Sequence, residues 1–313
     1  MQHEELAIDK WIARFPLAAA RAEGPEIEAE FITGPRSIAL LEQLRAEAFG
    51  PESIGDRVPT DVFIWSLTDP GQRDRTQIGG TPYRSRSKPW PLDAIGQPRQ
   101  FLAQVCFADS HDLFPMPLPG DMLLIFTAVE EWQRGGFNLA WGQPEMLRFE
   151  WGHLDETELI EATEMPQARM PLLPCYGTRY RTWDVAAEEP PDASQQDSEA
   201  LRTALARWDC AVVEGTKIGG IAPRLFDQDE VRFGPEEHFP PGHFLGTIAT
   251  VGADTSEPYA FLDMPEAIDF RDAPAAEAWR PSQRALLMIA DAGLLNFFLD
   301  DTGTVRWTGR CAT

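Results

Sequence analysis

The residue types that most often carry chemistry are sparse in this 313-residue chain. Histidine occurs only at positions 3, 111, 153, 238 and 243. His238 and His243 sit in the proline-rich stretch FGPEEHFPPGHF, beside Glu236 and Glu237. Imidazole and carboxylate together suit zinc or iron. The spacing supplies no third ligand, so no metal residue is assigned. HExxH, Cys-x-x-Cys and the calcium-loop pattern are all missing. His111 lies beside Asp109, Ser110 and Asp112, but neighbours in sequence do not make a triad, which is a spatial arrangement. There is no GxSxG nucleophile turn. The pairs Gly79-Gly80 and Gly219-Gly220 match neither GxGxxG nor the P-loop pattern. The residues therefore assign no catalytic group and no cofactor. His238 and His243 stay as weak site candidates, with Gln104, an amide on an otherwise apolar strand that either binds something or satisfies neighbouring backbone groups.

The elements that would position such groups change character along the chain. Residues 1–57 read as an N-terminal helical segment, with Leu6, Trp11, Ile12 and Phe15 on one apolar face and Ile38, Leu41, Leu44 and Ala48 on a second. After Gly50-Pro51 the texture turns to short strands: DVFIWSL, RQFLAQVCF, DMLLIFTAV and EMLRFEW. In RQFLAQVCF, strict alternation would put Phe101, Ala103, Val105 and Phe107 on one face and Leu102, Gln104 and Cys106 on the other. The expected organisation is a first repeat over 58–185, an exposed connector over 186–199 (AAEEPPDASQQDSE) and a second repeat over 200–313, packed with the first as one unit.

Composition narrows the partners. Lys and Arg total 27 against 50 Asp and Glu, a net charge of −23. Such a surface repels phosphate backbones, so nucleic acid is not expected, and basic proteins are the natural partners. No apolar run approaches the ~20 residues that span a bilayer. The opening MQHEELAIDK has no basic start and no apolar stretch, so a cytoplasmic protein is expected. Cysteines at 106, 175, 210 and 311 have no ligand spacing and read as reduced thiols. The cluster YRSRSK, Tyr83 to Lys88, would either hold an anion or pair with acidic groups of the chain itself.

One pattern recurs in order. TQIGGTPYRSRSKPWP, FLAQVCFAD and LPGDMLLIFTAVE are followed by TKIGGIAPRLFD, FLGTIATVG and DAGLLNFFLDDTG. Three ordered matches imply an internal duplication. In each copy the glycine pair permits backbone angles closed to other residues, and Pro82 or Pro223 then restricts the exit. Gly120 and Gly293 each precede an apolar strand and are expected in tight hairpins.

The first copy resembles the YwqG-like family, a bacterial domain of unknown function. The resemblance rests on Gly79, Gly80, Pro82, Trp90, Pro91, Gly96, Pro98, Phe101, Leu102, Gln104, Pro119, Gly120 and Phe126. KIGGIAP and DAGLLNFFLDDTG extend it into the second half, so that it covers roughly Val58 to Trp307. It implies an α+β fold: a duplicated module of mostly antiparallel β-sheet, here with the N-terminal helical segment. In such relatives the second glycine pair stands between a His and a Gln; here Lys217 and the neighbourhood of Leu225 take those places. The resemblance supplies no reaction, and it implies an association with bacterial toxin systems in an immunity role. The function expected is thus a non-catalytic protein-binding module, of immunity type, that neutralises a basic partner. The alternatives are a small-molecule or metal-binding protein, or a hydrolase-like enzyme whose site is scattered in sequence.

Overall fold

The structure is a computed structural model. It describes residues 42, 44–46, 48–49, 57–66, 68–128, 146–168, 172–186, 207, 210–213, 215–223, 231–233, 240–251, 287, 289 and 293–311. Apolar runs bounded by Pro, Gly and Asp form strands where side chains of both faces find cover. These are β1 (Arg57–Ser66), β2 (Gln77–Ile78), β3 (Gln100–Cys106), β4 (Met122–Thr127), β5 (Leu147–Gly152) and β6 (Cys175–Val185). Then come β7 (Lys217–Gly219), β8 (Val231–Phe233), β9 (His243–Ala249), β10 (Leu294–Leu299) and β11 (Val305–Cys311).

All eleven join one sheet in the order β5-β4-β3-β2-β6-β1-β7-β9-β10-β11-β8, and every pairing is antiparallel. The sheet curls until Phe149 on β5 meets Phe297 on β10, with ring centroids 5.6 Å apart. Phe63, Trp65, Val105, Leu123, Ile125, Ile248, Leu295 and Trp307 fill the enclosed side.

This corrects the expected α+β class: the chain is nearly all-β. Residues 1–41 lie outside the described residues. Within 42–49 the described residues are helical, but they only cover the outer face of β1 and β6, where Leu44, Ala48 and Phe49 pack on Val62, Ile64 and Tyr180. Among the other described residues Arg207 is helical, and His111–Leu113 and Ala162–Glu164 are single 3₁₀ turns. Curling lets one sheet bury its own apolar face, so no helical layer is needed for that side. The connector 187–199 lies outside the described residues.

The centre of the sheet has a crossed arrangement. β1 precedes β2 in sequence but pairs with β6 and β7, while β6 pairs with β1 and β2. The order is therefore symmetric about the β6–β1 pair, apart from the added β8. Thr76 and Thr216 show the correspondence atom by atom. The Oγ1 of Thr76 accepts from the Cys106 amide at 3.0 Å, and that of Thr216 from the Ala249 amide at 3.1 Å. Their carbonyls accept from Gly177 on β6 at 2.8 Å and from Phe63 on β1 at 3.0 Å.

Three local expectations change. A register shift between Phe101 and Ala103 breaks strict alternation in β3. Leu102 joins Ala103 and Val105 on the enclosed side, and Phe101 joins Cys106 on the outer one. Gly120 is not in a tight hairpin, because Phe107 to Asp121 form a longer connection with a 3₁₀ turn. Its glycine is required by close approach: a Cβ there would stand 2.5 Å from the Gly152 carbonyl oxygen. Gly293 likewise serves through its carbonyl, which accepts from the Thr250 amide and hydroxyl at 3.0 Å each.

Candidate binding groove at the first glycine turn

β2 is only two residues long. Where it ends, the chain turns at Gly79 and Gly80, with φ of +61° and +72°, the left-handed region that favours glycine. Beyond that turn, β3 and the segment leading into β6 are no longer bridged by a strand. The gap is a cavity of about 610 Å³. Gly79, Gly80 and Thr81 form part of its lining, between Phe101 and Trp90 on one side and Leu172, Pro174 and Tyr176 on the other. Ile95 stands at the lip, 78% exposed.

Side-chain amides are the most numerous polar groups of the groove. Gln72, Gln77, Gln97, Gln100 and Gln167 all line it. Gln77 Nε2 donates to the carbonyls of Gly79 at 3.1 Å and Thr81 at 2.9 Å and so holds the turn. Asp69 and Asp93 accept amides of their own loops, Gly71 for the first and Ile95 and Gln97 for the second. Arg73 Nη2 donates to the carbonyls of Pro82 at 2.7 Å and Ile160 at 2.6 Å. Burial pushes the Arg73 guanidinium below its usual range, against the opposing pull of Glu161.

The second glycine turn repeats this geometry in a filled setting. Gly219 and Gly220 have φ of +68° and +74°. Lys217 takes the place of Gln77, and its Nζ donates to the Ile221 carbonyl at 2.7 Å. A Cβ on Gly219 would press on Leu113, and one on Gly220 would collide with the Asp184 carboxylate and Thr60. Asp184 and Lys217 side chains are fully buried, 2.7 Å apart. Asp184 also accepts the amides of Val213 at 2.8 Å and Ile221 at 2.9 Å, and Arg45 Nη2 at 3.4 Å. Desolvation lowers the Arg45 pKa, which Asp184 and Glu42 oppose.

A second polar cluster lies on the enclosed face of the same central strands. Asp61 is fully buried and accepts Ser110 Oγ at 2.6 Å, Arg179 at 3.2 Å and both arms of Arg181. Arg181 also grips Asp112, at 2.7 and 3.0 Å. Its hydrogen bonds to Asp112 and Asp61 hold its proton above the usual range, and they hold the Asp112 carboxyl below its own. These bonds fasten the 3₁₀ turn over the sheet, and both Asp61 oxygens are engaged in them.

The sequence candidates fall as follows. Gly79, Gly80, Trp90 and Phe101 meet at the groove. Pro82 and Pro91 serve it through their carbonyls, which accept Arg73 and the Arg99 amide at 2.9 Å. Gln104 lies beneath it, fully buried. Its Oε1 accepts the Tyr83 amide at 2.7 Å, and its Nε2 donates to the carbonyls of Arg73 at 2.7 Å and Arg75 at 2.6 Å. Gly120, Gly219 and Gly220 lie at close approaches away from the groove, and Gly293 holds Thr250 through its carbonyl. The Pro223 carbonyl lies 3.5 Å from Asn296 Nδ2. His243 opens β9 in an exposed position, and His238 lies outside the described residues. Among the described residues no cluster of His, Cys, Asp or Glu can hold a metal. The cations of YRSRSK pair internally: Arg84 with Glu150, Arg86 with Glu164, Lys88 with Glu156. Sequence reading missed Arg73, Gln77, Asp184 and Tyr176. Only Lys217 had left a trace, as a departure from the relatives' pattern.

The fold and groove define a nearly all-β protein with an open, amide-lined cleft beside a glycine turn. Residues 76–307 match the family described as domain of unknown function DUF1963, and the chain belongs to that family. The match begins at Thr76, at the head of the first glycine turn. Among curated proteins, none matches the chain.

Proposed function

We propose that this protein is a non-catalytic binding module, and that the groove at Gly79-Gly80 receives an extended segment of a partner protein. One observation carries the reading: a concave surface of flat apolar walls and side-chain amides, with its two carboxylates occupied in their own turns. Amides recognise a peptide backbone through both donor and acceptor. Aromatic and proline walls give contact area at low conformational cost. The net charge of −23 favours a basic partner through steering. An immunity-type neutralisation, a cytoplasmic location and a place among YwqG-like proteins belong to this reading. The two-copy origin of the chain belongs to it too, supported by the matched bonds of Thr76 and Thr216.

One observation favours a second reading. A volume of about 610 Å³ lies in the range that small ligands occupy. Capture from native lysate with the wild-type chain and with Ile95→Asp separates the two. Ile95 is exposed, so the substitution spares the fold. A partner retained by wild type and lost by the variant supports the groove. A partner held equally by both moves the interface elsewhere on the acidic surface. A metabolite carried by the purified chain and displaced by no protein favours the small ligand.

A further inference from the structure

The two glycine turns correspond residue for residue, and one of them already binds a carboxylate. Gln77, Gly79, Gly80 and Thr81 match Lys217, Gly219, Gly220 and Ile221. In both turns the first side chain donates to the carbonyl four residues on, at 2.9 Å from Gln77 and 2.7 Å from Lys217. In the second turn the Asp184 carboxylate is seated against the glycine. Its Oδ2 accepts the Ile221 amide at 2.9 Å and Lys217 Nζ at 2.7 Å. It lies so close to Gly220 that no side chain fits there. The glycine pair is thus a seat that lets a carboxylate oxygen approach the backbone and its amides, as short runs of main-chain N–H groups do for anions generally.

In the first turn the same seat faces the groove. Around Gly80 the nearest groups to an ideal Cβ are Gln77 Nε2 at 3.3 Å, Pro174 Cβ at 3.6 Å and Tyr176 Oη at 3.8 Å, with no carboxylate among them. The amide of Thr81, which corresponds to that of Ile221, makes no hydrogen bond to any described residue. The cation that Lys217 supplies in the second turn has its counterpart here in Arg73, which grips the carbonyl of the next residue, Pro82. Arg73 pairs with no carboxylate among the described residues. Its Nε is buried without an acceptor there. A buried donor of that kind calls for a partner.

We propose that the first glycine turn is a carboxylate seat, and that it captures the C-terminal carboxylate of the partner segment through the Thr81 amide and the Arg73 guanidinium. The segment's last side chain then lies against Trp90 and Phe101, and its backbone runs along the glutamines. This rests on the reading of the groove as a peptide site. Capture of a chain terminus by main-chain amides is an established recognition mode.

The test uses fluorescein-labelled hexapeptides of mixed sequence, made both as free acids and as C-terminal amides, titrated by anisotropy against the whole chain. Removing one charge-assisted contact corresponds to about ten-fold in affinity. Free acids should bind about ten-fold more tightly than the matching amides, and Arg73→Gln should abolish the difference. Thr81→Pro, which removes the amide and keeps every charge, should reduce it as well, and thermal melts identify the variants that fold. Equal binding of acids and amides by the wild type overturns the carboxylate seat and leaves the peptide groove standing. No binding of either form, with no effect of Ile95→Asp, overturns both. Full competition by N-acetyl amino acids alone keeps the seat and overturns the protein terminus as its source.

Discussion

Replacing Asp184 with alanine probes the most concentrated set of interactions in the molecule. The side chain is fully buried and satisfies two cations and two backbone amides: Lys217 Nζ, Arg45 Nη2, Val213 N and Ile221 N. Removing one partner of a buried pair typically costs about 3–5 kcal/mol, because the other charge stays behind without compensation. Domains of ordinary stability hold about 5–15 kcal/mol in all. Asp184→Ala should therefore lower the urea midpoint steeply, with the slope unchanged. The second arm is Lys217→Met, alone and combined with Asp184→Ala. Lys217 Nζ donates to the Asp184 carboxylate and to the Ile221 carbonyl, both at 2.7 Å. The double variant should then lose less than the sum of the singles, by about 1–3 kcal/mol. Recovery should be partial, since Arg45 still lacks the Asp184 carboxylate, although it keeps Glu42 at 4.0 Å and the carbonyls of Cys210 at 2.7 Å and Ala211 at 3.1 Å. Additive losses within about 0.5 kcal/mol, or an Asp184→Ala cost below about 1 kcal/mol, would refute the coupled network.

Two further predictions follow from the packing. Gly80→Ala should cost about 1–2 kcal/mol for a side chain in left-handed geometry, while Gly220→Ala, which must also displace Asp184 and Thr60, should cost several more; equal melting temperatures would contradict the seat geometry. Burial, with a smaller contribution from nearby Asp109, pushes the Cys106 thiol up to about 12. At pH 8 only about one thiol in ten thousand is then ionised, so iodoacetamide should leave Cys106 unlabelled in the native chain and modify it after unfolding, as peptide mapping would show.

What the sequence disclosed depended on how local the physics was. β1, β3, β4 and β5 read from short apolar runs bounded by breakers, since that pattern is set by near neighbours. β6 did not. CYGTRYRTWDV carries two arginines and an aspartate, so the pattern of short apolar runs does not pick it out. Yet it lies at the centre of the sheet, because Arg179 and Arg181 find Asp61 across the strand pair and Asp184 finds Lys217. Those partners are far away in sequence, so no window reveals that the charges are compensated. The α+β expectation gave the N-terminal periodicity the weight of a layer, whereas curling of the sheet supplies most of the cover. The glycine pairs were visible and so was their recurrence. The groove was not, because it arises where a two-residue strand runs out between neighbours contributed by other parts of the chain. Arg73 has no motif at all; what marks it is a buried Nε with no acceptor among the described residues.

The crossing of β1 and β6 has a consequence for how the chain is made. β1 has no strand partner among the described residues until residues 175–185 and 217–219 exist, so during synthesis it waits for more than a hundred residues of later sequence. Contacts of such separation fold slowly. Neither half can finish its sheet alone, and a ribosome paused in the middle of the message would hold out an open edge of Val62, Phe63, Ile64 and Trp65, a surface of the kind chaperones cover.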